Sequence, residues 1–169
     1  MDELYKNLVK VAPREQIHFK CKGCGTCCRN VKQQVPLETL DAFRIARYLQ
    51  NHGEPIQCMD DVLELYAEPA LLDECGYFVY FLKTVGENDA CIFLDENNRC
   101  KIHSVNPRAC RTYPFIAAPL DEGGFETLIS FERKFHFNGP VVHPRTWMKK
   151  RFTLEDKEFL QTDLGSAKE

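Results

Sequence analysis

Residues 19–28 read FKCKGCGTCC, and four of these ten residues are cysteines: Cys21, Cys24, Cys27 and Cys28. The whole chain has nine cysteines in 169 residues. The two residues between Cys21 and Cys24 let one tight turn aim both sulfurs at one metal ion, and the neighbouring glycines relax the backbone there. Packing alone gives no reason to gather four thiols in a glycine-rich loop. The segment therefore predicts metal ligands in irregular structure.

The adjacent pair Cys27 and Cys28 has its own implication. Side chains of neighbouring residues tend to diverge, so the pair suggests two metals, a multinuclear cluster, or one ligand beside a thiol that does not bind metal. Cys58 and Cys75 stand alone in the sequence. Isolated free cysteines usually behave as small hydrophobic residues, so we expect these two to be buried and without a role at the metal.

Three further cysteines recur at intervals of nine and ten residues: Cys91, Cys100 and Cys110. The runs 90–95 and 99–103 are short and rich in apolar residues, and a good turn sequence, ENN, separates them. They are predicted to form a hairpin that brings Cys91 and Cys100 together. Cys110 would then lie on the turn that follows.

Seven clustered cysteines and His103 make eight donors, enough for two tetrahedral sites, although a cluster that uses only four cysteines is an alternative. His103 is therefore a candidate ligand or a residue that contacts a ligand. Thiolates suit zinc and iron–sulfur clusters equally. Zinc would act mainly to stabilise the fold, whereas an iron–sulfur cluster would add redox or Lewis-acid chemistry.

Three side chains crowd the last cysteine: Arg108, Arg111 and Tyr113. An arginine there would offset the negative charge of a thiolate centre or bind an anionic substrate group, or it would pair with a carboxylate of the protein. Tyr113 would donate a hydrogen bond to a sulfur or a substrate, or it would serve packing alone.

The rest of the chain predicts an α+β fold in which short helices surround a small antiparallel sheet, organised about a cysteine-ligated metal centre. Length and an ordinary composition, 44% hydrophobic and 28% charged, favour a single domain over residues 1–169. Periodicity and turn signals predict helices over 3–11, 36–50, 59–67, 107–113 and 153–164, strands over 16–20 and 76–84, and a hairpin from 114–120 and 125–137.

Charge and hydropathy narrow the classes of partner. The formal net charge of −3 and the pI of 6.0 disfavour a nucleic-acid partner and an anionic membrane. The sequence has neither a signal peptide nor an apolar run of 18 residues, so we expect a cytoplasmic protein with reduced thiols. Its partner is expected to be an unidentified protein or a small-molecule substrate.

Three segments together resemble the YkgJ-type cysteine-cluster family of zinc- or iron-chelating proteins, which includes the flagellin lysine N-methylases. They are FKCKGCGTCC (19–28), CIFL (91–94) and RCKIHSVNPRACRTYPF (99–115), so the motif region spans 19–115. The resemblance implies a metal or iron–sulfur centre on Cys21, Cys24, Cys27, Cys28, Cys91, Cys100 and Cys110. Where the family often has Arg-Pro before the last cysteine, this chain has Asn106-Pro107-Arg108.

Two functions remain open at this stage, and so does whether the protein is an enzyme. In the first, the metal centre acts in redox or methyl-transfer chemistry. The sequence has no strand followed by G-x-G-x-x-G, so a methyl donor would be held at the centre itself or by a partner. In the second, zinc stabilises an adaptor that binds another protein.

Overall fold

The computed structural model describes residues 7–71, 78–120 and 124–159. In chain order its elements are β1 (Leu8–Lys10), β2 (Ile17–His18), α1 (Thr39–Asn51), α2 (Met59–Tyr66), β3 (Ala67–Leu71), β4 (Phe78–Leu82), β5 (Thr84–Val85), β6 (Ala90–Cys91), α3 (Arg108–Thr112), β7 (Phe115–Pro119), β8 (Phe125–Ser130), β9 (Val141–Val142) and α4 (Pro144–Arg151). The sheet pairings are antiparallel throughout these elements. The α+β prediction is therefore confirmed.

The chain divides into two compact units. The first unit comprises Met1–Lys22 and Arg111–Thr153, and the second comprises Gly23–Cys110 and Leu154–Glu169. A single domain over residues 1–169 stays a prediction. No helix of the described residues is long and apolar enough to cross a membrane.

The first unit is built on a three-stranded sheet with β8 between β1 and β7. Ile129 of β8 pairs with Val9 on one side and with Phe115 on the other, and both Ile129 and Phe115 are fully buried. Beside β2, the buried ring of Phe19 lies edge-on to the rings of Tyr113 and Trp147. The predicted hairpin is confirmed as β7 and β8, with residues 121–123 outside the described part, but its second strand ends at Ser130 rather than 137, and Lys134–His136 form a 3₁₀ helix.

The helix predicted over 3–11 is wrong for residues 8–10, which form β1; residues 1–6 lie outside the described part. Two or three turns of helix are only marginally stable in water without tertiary contacts. Pairing with β8 instead satisfies the backbone groups of β1 that face β8 and those of β8 that face β1. The distant partner therefore outweighs the local helical periodicity.

The second unit has its hydrophobic core between α1, α2 and the segments that follow them. Its fully buried members include Ala42 and Ile45 of α1 and Val62 of α2. The predicted helices over 36–50 and 59–67 are confirmed as α1 and α2. Helix α1 begins at Thr39 rather than Pro36, because residues 35–37 run beside β4, where the Leu37 amide bonds to the carbonyl of Tyr80 at 2.8 Å.

The predicted strand over 76–84 is confirmed as β4 from residue 78 onward. The runs 90–95 and 99–103 are not strands throughout: β6 covers only two residues, and beyond it Leu94 and Cys100 form an isolated bridge. Asp95 explains the difference, since its carboxylate accepts hydrogen bonds from the amides of Asn97 and Arg99, both at 2.8 Å. These bonds hold a tight turn where an extended hairpin was expected.

Helix α3 and the helical segment 154–159 follow their predictions closely. Helix α3 occupies most of 107–113, and residues 154–159 are helical within the predicted 153–164. Residues 160–164 lie outside the described part. The segment at 154–159 is attached to α1 by Arg44, whose guanidinium pairs with Asp156 at 2.8 Å and with Glu155 at 2.9 Å.

Candidate metal centre

The first cysteines lie on a short 3₁₀ helix, Thr26–Cys28, which begins after Gly25. Gly25 is buried with a left-handed φ of 69°, and a Cβ atom there would lie 3.0 Å from both the Cβ and the carbonyl oxygen of Asn98. The guanidinium of Arg29 also donates a hydrogen bond to the side-chain oxygen of Asn98. The loop that carries Cys27 and Cys28 is therefore held directly against the 95–98 turn.

The adjacent cysteines converge instead of diverging. The sulfurs of Cys27 and Cys28 are 3.8 Å apart. Although neighbouring Cβ atoms point in different directions, a rotation about the Cα–Cβ bond of each cysteine lets the two sulfurs meet. Both thiols can therefore serve one centre, which removes the geometric reason for assigning them to separate metals.

Cys91 is buried in the second unit. Its residue is 7% exposed and belongs to the hydrophobic core of the second unit, while Cys28 and Cys100 pack against that core. Burial raises the pKa of Cys91, and the negative charges that Cys100 and Cys27 carry when ionised raise it further. Burial likewise raises the pKa of Cys100, and Cys27 adds to that rise.

Cys28 and Cys110 complete the group. The hydrogen bond with Cys27 and burial raise the pKa of Cys28 far above its ordinary value, with smaller contributions from Cys110 and Cys91. Burial also raises the pKa of Cys110 well above its ordinary value, and Cys91, Cys100 and Cys27 add to the rise. We call these five residues the thiol cluster: Cys27, Cys28, Cys91, Cys100 and Cys110.

Cys24 differs from the thiol cluster. Its sulfur lies 3.2 Å from the hydroxyl oxygen of Thr26, and this hydrogen bond lowers the pKa of the Cys24 thiol. Cys24 therefore ionises more readily than the cluster thiols, and Cys27 is near enough to oppose this slightly. Cys21 is exposed and belongs to the first unit.

The prediction that Cys58 is buried is wrong. Cys58 is exposed and stands at the N-terminus of α2, where its amide donates to the carboxylate of Asp61 at 3.0 Å. The Asp61 carboxylate and the Cys58 thiol form a reciprocal cap, which satisfies amides that the first turn would leave open. Cys75 lies outside the described residues.

The donor set fits a thiophilic metal in its chemistry. Zinc and iron both take thiolate ligands, and the five thiols of the cluster offer enough of them for a four-coordinate ion or an iron–sulfur cluster. Within residues 7–71, 78–120 and 124–159, no three His, Cys, Asp or Glu side chains are already arranged to hold a metal ion. Metal binding would therefore require the ligand side chains to move closer together.

The other predicted site residues lie in varied surroundings. His103 is exposed at the start of a 3₁₀ helix, and Arg111 is half-buried in the last turn of α3. The Tyr113 hydroxyl lies 3.0 Å from Nδ1 of His136 in the first unit. Arg108 is buried, and its guanidinium Nε donates to both carboxylate oxygens of Glu38, at 3.0 and 2.9 Å.

Sequence reasoning missed Asp41. This carboxylate is 1% exposed and accepts a hydrogen bond from the backbone amide of Arg108 at 3.0 Å. A signal for it was present in the sequence, because Asp41, Ile45 and Leu49 follow one another at intervals of four and so share one stripe of α1. An acidic residue on an apolar stripe indicates a buried partner.

Comparison with known proteins identifies a family for most of the chain. Residues 20–138, well over half of the chain, match the family model CxxCxxCC, described as "Putative zinc- or iron-chelating domain". The predicted zinc or iron cofactor, with its identity unresolved, accords with that description. No solved structure gave a significant match to the chain.

Proposed function

Since this chain belongs to the CxxCxxCC family of zinc- or iron-chelating domains, we propose that it binds zinc or iron through its thiol cluster. The observation that supports this most is the gathering of five thiols whose ionised forms would repel one another. The raised pKa values of Cys28, Cys91, Cys100 and Cys110 keep these four thiols protonated at neutral pH unless a cation is present. A metal ion supplies the positive charge, so its binding would release protons.

We propose further that the centre is functional, in redox or methyl-transfer chemistry. Five clustered thiols, with Cys24 beside Cys27, exceed the four that one structural zinc uses, and this surplus favours an iron–sulfur cluster such as 4Fe-4S or a multinuclear site. Such a centre would work in the reducing cytoplasm, on a small-molecule or protein substrate.

A second candidate is an adaptor stabilised by zinc. It is favoured by the position of Cys91 in the hydrophobic core and by the packing of Cys28 and Cys100 against that core. A metal held there would connect the core elements of the second unit and stabilise the fold directly. In that case the partner would be another protein, and the metal would carry out no chemistry.

The test is anaerobic purification with metal and sulfide analysis and an absorption spectrum. Iron with equimolar labile sulfide and a broad absorption near 400 nm would support the iron–sulfur centre. A colourless protein with zinc and no sulfide would rule that centre out and favour the adaptor. Titration of metal-free protein with Zn²⁺ in weak buffer should release roughly four protons per tetrahedral zinc.

A matched pair of variants tests the location of the centre. We expect Cys27→Ser to lose metal, because Cys27 interacts with every other thiol of the cluster. We expect Cys58→Ser to retain the metal content of the unmodified chain, since Cys58 is exposed at the start of α2. Equal metal loss in both variants would contradict the assignment.

A further inference from the structure

Helix α1 carries a carboxylate where its apolar stripe calls for a hydrophobic residue. Asp41 is 1% exposed, and the next stripe positions, Ile45 and Leu49, are buried hydrophobic residues. Burying an ionised carboxylate is costly unless hydrogen bonds or opposite charges compensate. The Oδ2 atom of Asp41 accepts a hydrogen bond from the backbone amide of Arg108, the first residue of α3, at 3.0 Å. A core position is thus used to hold the start of another helix.

A second carboxylate of α1 holds the same residue. Glu38 stands at the N-terminus of α1, and both its oxygens accept hydrogen bonds from the Arg108 guanidinium, with Nε at 3.0 and 2.9 Å. The Arg108 side chain is only 8% exposed and the Glu38 side chain 16%, so the ion pair is largely shielded from water. One side of α1 therefore fixes both the backbone and the side chain of Arg108.

Helix α3 depends on such contacts for its position. It has five residues, Arg108–Thr112, and a helix of that length has no stability of its own in water. Cys110 lies in its middle, two residues after Arg108. The other four thiols of the cluster come from the 26–28 turn and from the 91–100 segment, which contact each other through Gly25 and Asn98. Cys110 comes from a separate element.

We propose that Asp41 and Glu38 are positioning residues of the metal centre: they fix the first turn of α3 so that Cys110 is presented to Cys91 and Cys100. This inference rests on the proposed function, because it assumes that the thiol cluster binds metal. Neither carboxylate would touch the metal. A negative charge next to thiolates gives them no electrostatic help, so the contribution of Asp41 is geometric.

The test is a double-mutant cycle between Asp41→Ala and Cys110→Ser, with anaerobic Co²⁺ titration of the metal-free full-length chain as the readout. Asp41→Ala should weaken Co²⁺ binding about 10- to 100-fold, the usual effect of losing a residue that orients a ligand. It should also lower the thiolate-to-cobalt absorption to the level of Cys110→Ser. In the Cys110→Ser background, Asp41→Ala should change the affinity less than about threefold, because the ligand it positions is already absent.

Two further variants separate positioning from general loss of stability. Asp41→Asn keeps an oxygen that can accept the Arg108 amide, so it should restore affinity to within about threefold of the unmodified chain. Leu49→Ala, at a buried position of the same helix, should destabilise the fold without changing the cobalt spectrum. If Asp41→Ala does not fold, the same cycle is run with Glu38→Gln, whose site is less buried and should tolerate the change.

The outcomes are distinct. An unmodified chain that binds no Co²⁺ would overturn the proposed function and this inference with it. An unmodified chain that binds Co²⁺, together with Asp41 and Cys110 effects that simply add, would overturn the inference alone. The same holds if Leu49→Ala and Asp41→Ala weaken binding equally. Non-additive effects with rescue by Asp41→Asn would support it.

Discussion

At the scale of the residue, His136 makes the stability of the first unit depend on pH. The residue is 2% exposed, and its Nδ1 lies 3.0 Å from the hydroxyl of Tyr113. Burial lowers the pKa of His136, and the nearby positive charges of Arg133 and Lys22 lower it further. The folded chain therefore holds a neutral imidazole at a pH where an unfolded chain would begin to protonate it.

The direction of this pH dependence follows from the difference in proton binding between the folded and unfolded states. Above the unfolded value of about 6.5, His136 is neutral in both states and contributes no pH dependence. As the pH falls below that value, the unfolded state binds the proton more readily, so the free energy of unfolding decreases. We expect urea denaturation between pH 7 and pH 5 to show a shallower decline for His136→Gln than for the unmodified chain, although the variant starts about 1–3 kcal/mol less stable.

The control for this prediction is His143→Gln. His143 is exposed at the N-terminus of α4, so an equally shallow decline in both variants would show that the effect is not specific to His136. A His136→Gln variant that declines as steeply as the unmodified chain would show that His136 is not the group responsible.

At the scale of the element, the contact between the 26–28 turn and the 95–98 turn decides where two of the thiols lie. Gly25→Ala should disturb it for two reasons. A left-handed φ of 69° costs a residue with a Cβ about 1–2 kcal/mol. The added Cβ would also press on Asn98 at 3.0 Å and on Leu94 at 3.1 Å. We expect a loss of stability larger than the backbone cost alone, and weaker Zn²⁺ binding in a competition titration.

Gly53→Ala separates the two causes. Gly53 has a left-handed φ of 81°, and a Cβ there would meet no atom within 4 Å. This variant should lose only about 1–2 kcal/mol in denaturant unfolding and should bind Zn²⁺ like the unmodified chain. Similar losses of Zn²⁺ affinity in both glycine variants would mean that the contact with Asn98 does not hold the thiols.

The elements that the sequence predicted correctly are those specified by local signals. Helices α1 and α2 follow from apolar spacing, and the hairpin of β7 and β8 follows from its glycine-rich turn. Strand β1 was missed because its partner β8 lies far along the chain, and a short window carries no trace of that pairing. The set of seven cysteine ligands, implied by the family resemblance, stays a prediction, and the arrangement of the cluster thiols depends on long-range contacts such as Asn98 with Gly25 and Asp41 with Arg108.

At the scale of the whole molecule, the small net charge is the sum of two opposite charges, one on each unit. The first unit has twelve Lys and Arg against seven Asp and Glu, a net charge of +5, whereas the second has ten against eighteen, a net charge of −8. The total of −3 could not reveal the opposite charges of the two units, because the unit boundaries are not marked in the sequence. The thiol cluster thus belongs to the acidic unit, whose negative potential attracts metal cations.

The position of the thiol cluster leads to a prediction for seven of the eight described thiols, all in the second unit. Metal protects a ligating sulfur from alkylation, so brief maleimide labelling with and without Zn²⁺, followed by mass spectrometry, should divide the cysteines into classes. The five thiols of the cluster should become strongly protected. Cys58 is exposed and caps α2, so it should react equally in both samples and serve as the internal control. Protection of Cys58 would contradict the assigned centre.

The same labelling decides how far the centre extends beyond the cluster. In metal-free protein Cys24 should react faster than Cys28, Cys91, Cys100 and Cys110, because its hydrogen bond with Thr26 favours the reactive thiolate. Burial disfavours the thiolate in those four residues. If Zn²⁺ abolishes that reactivity, Cys24 is a ligand, and the centre has six thiols, two more than the four that one tetrahedral zinc uses. If Cys24 stays reactive, the five cluster thiols are the complete set in the second unit.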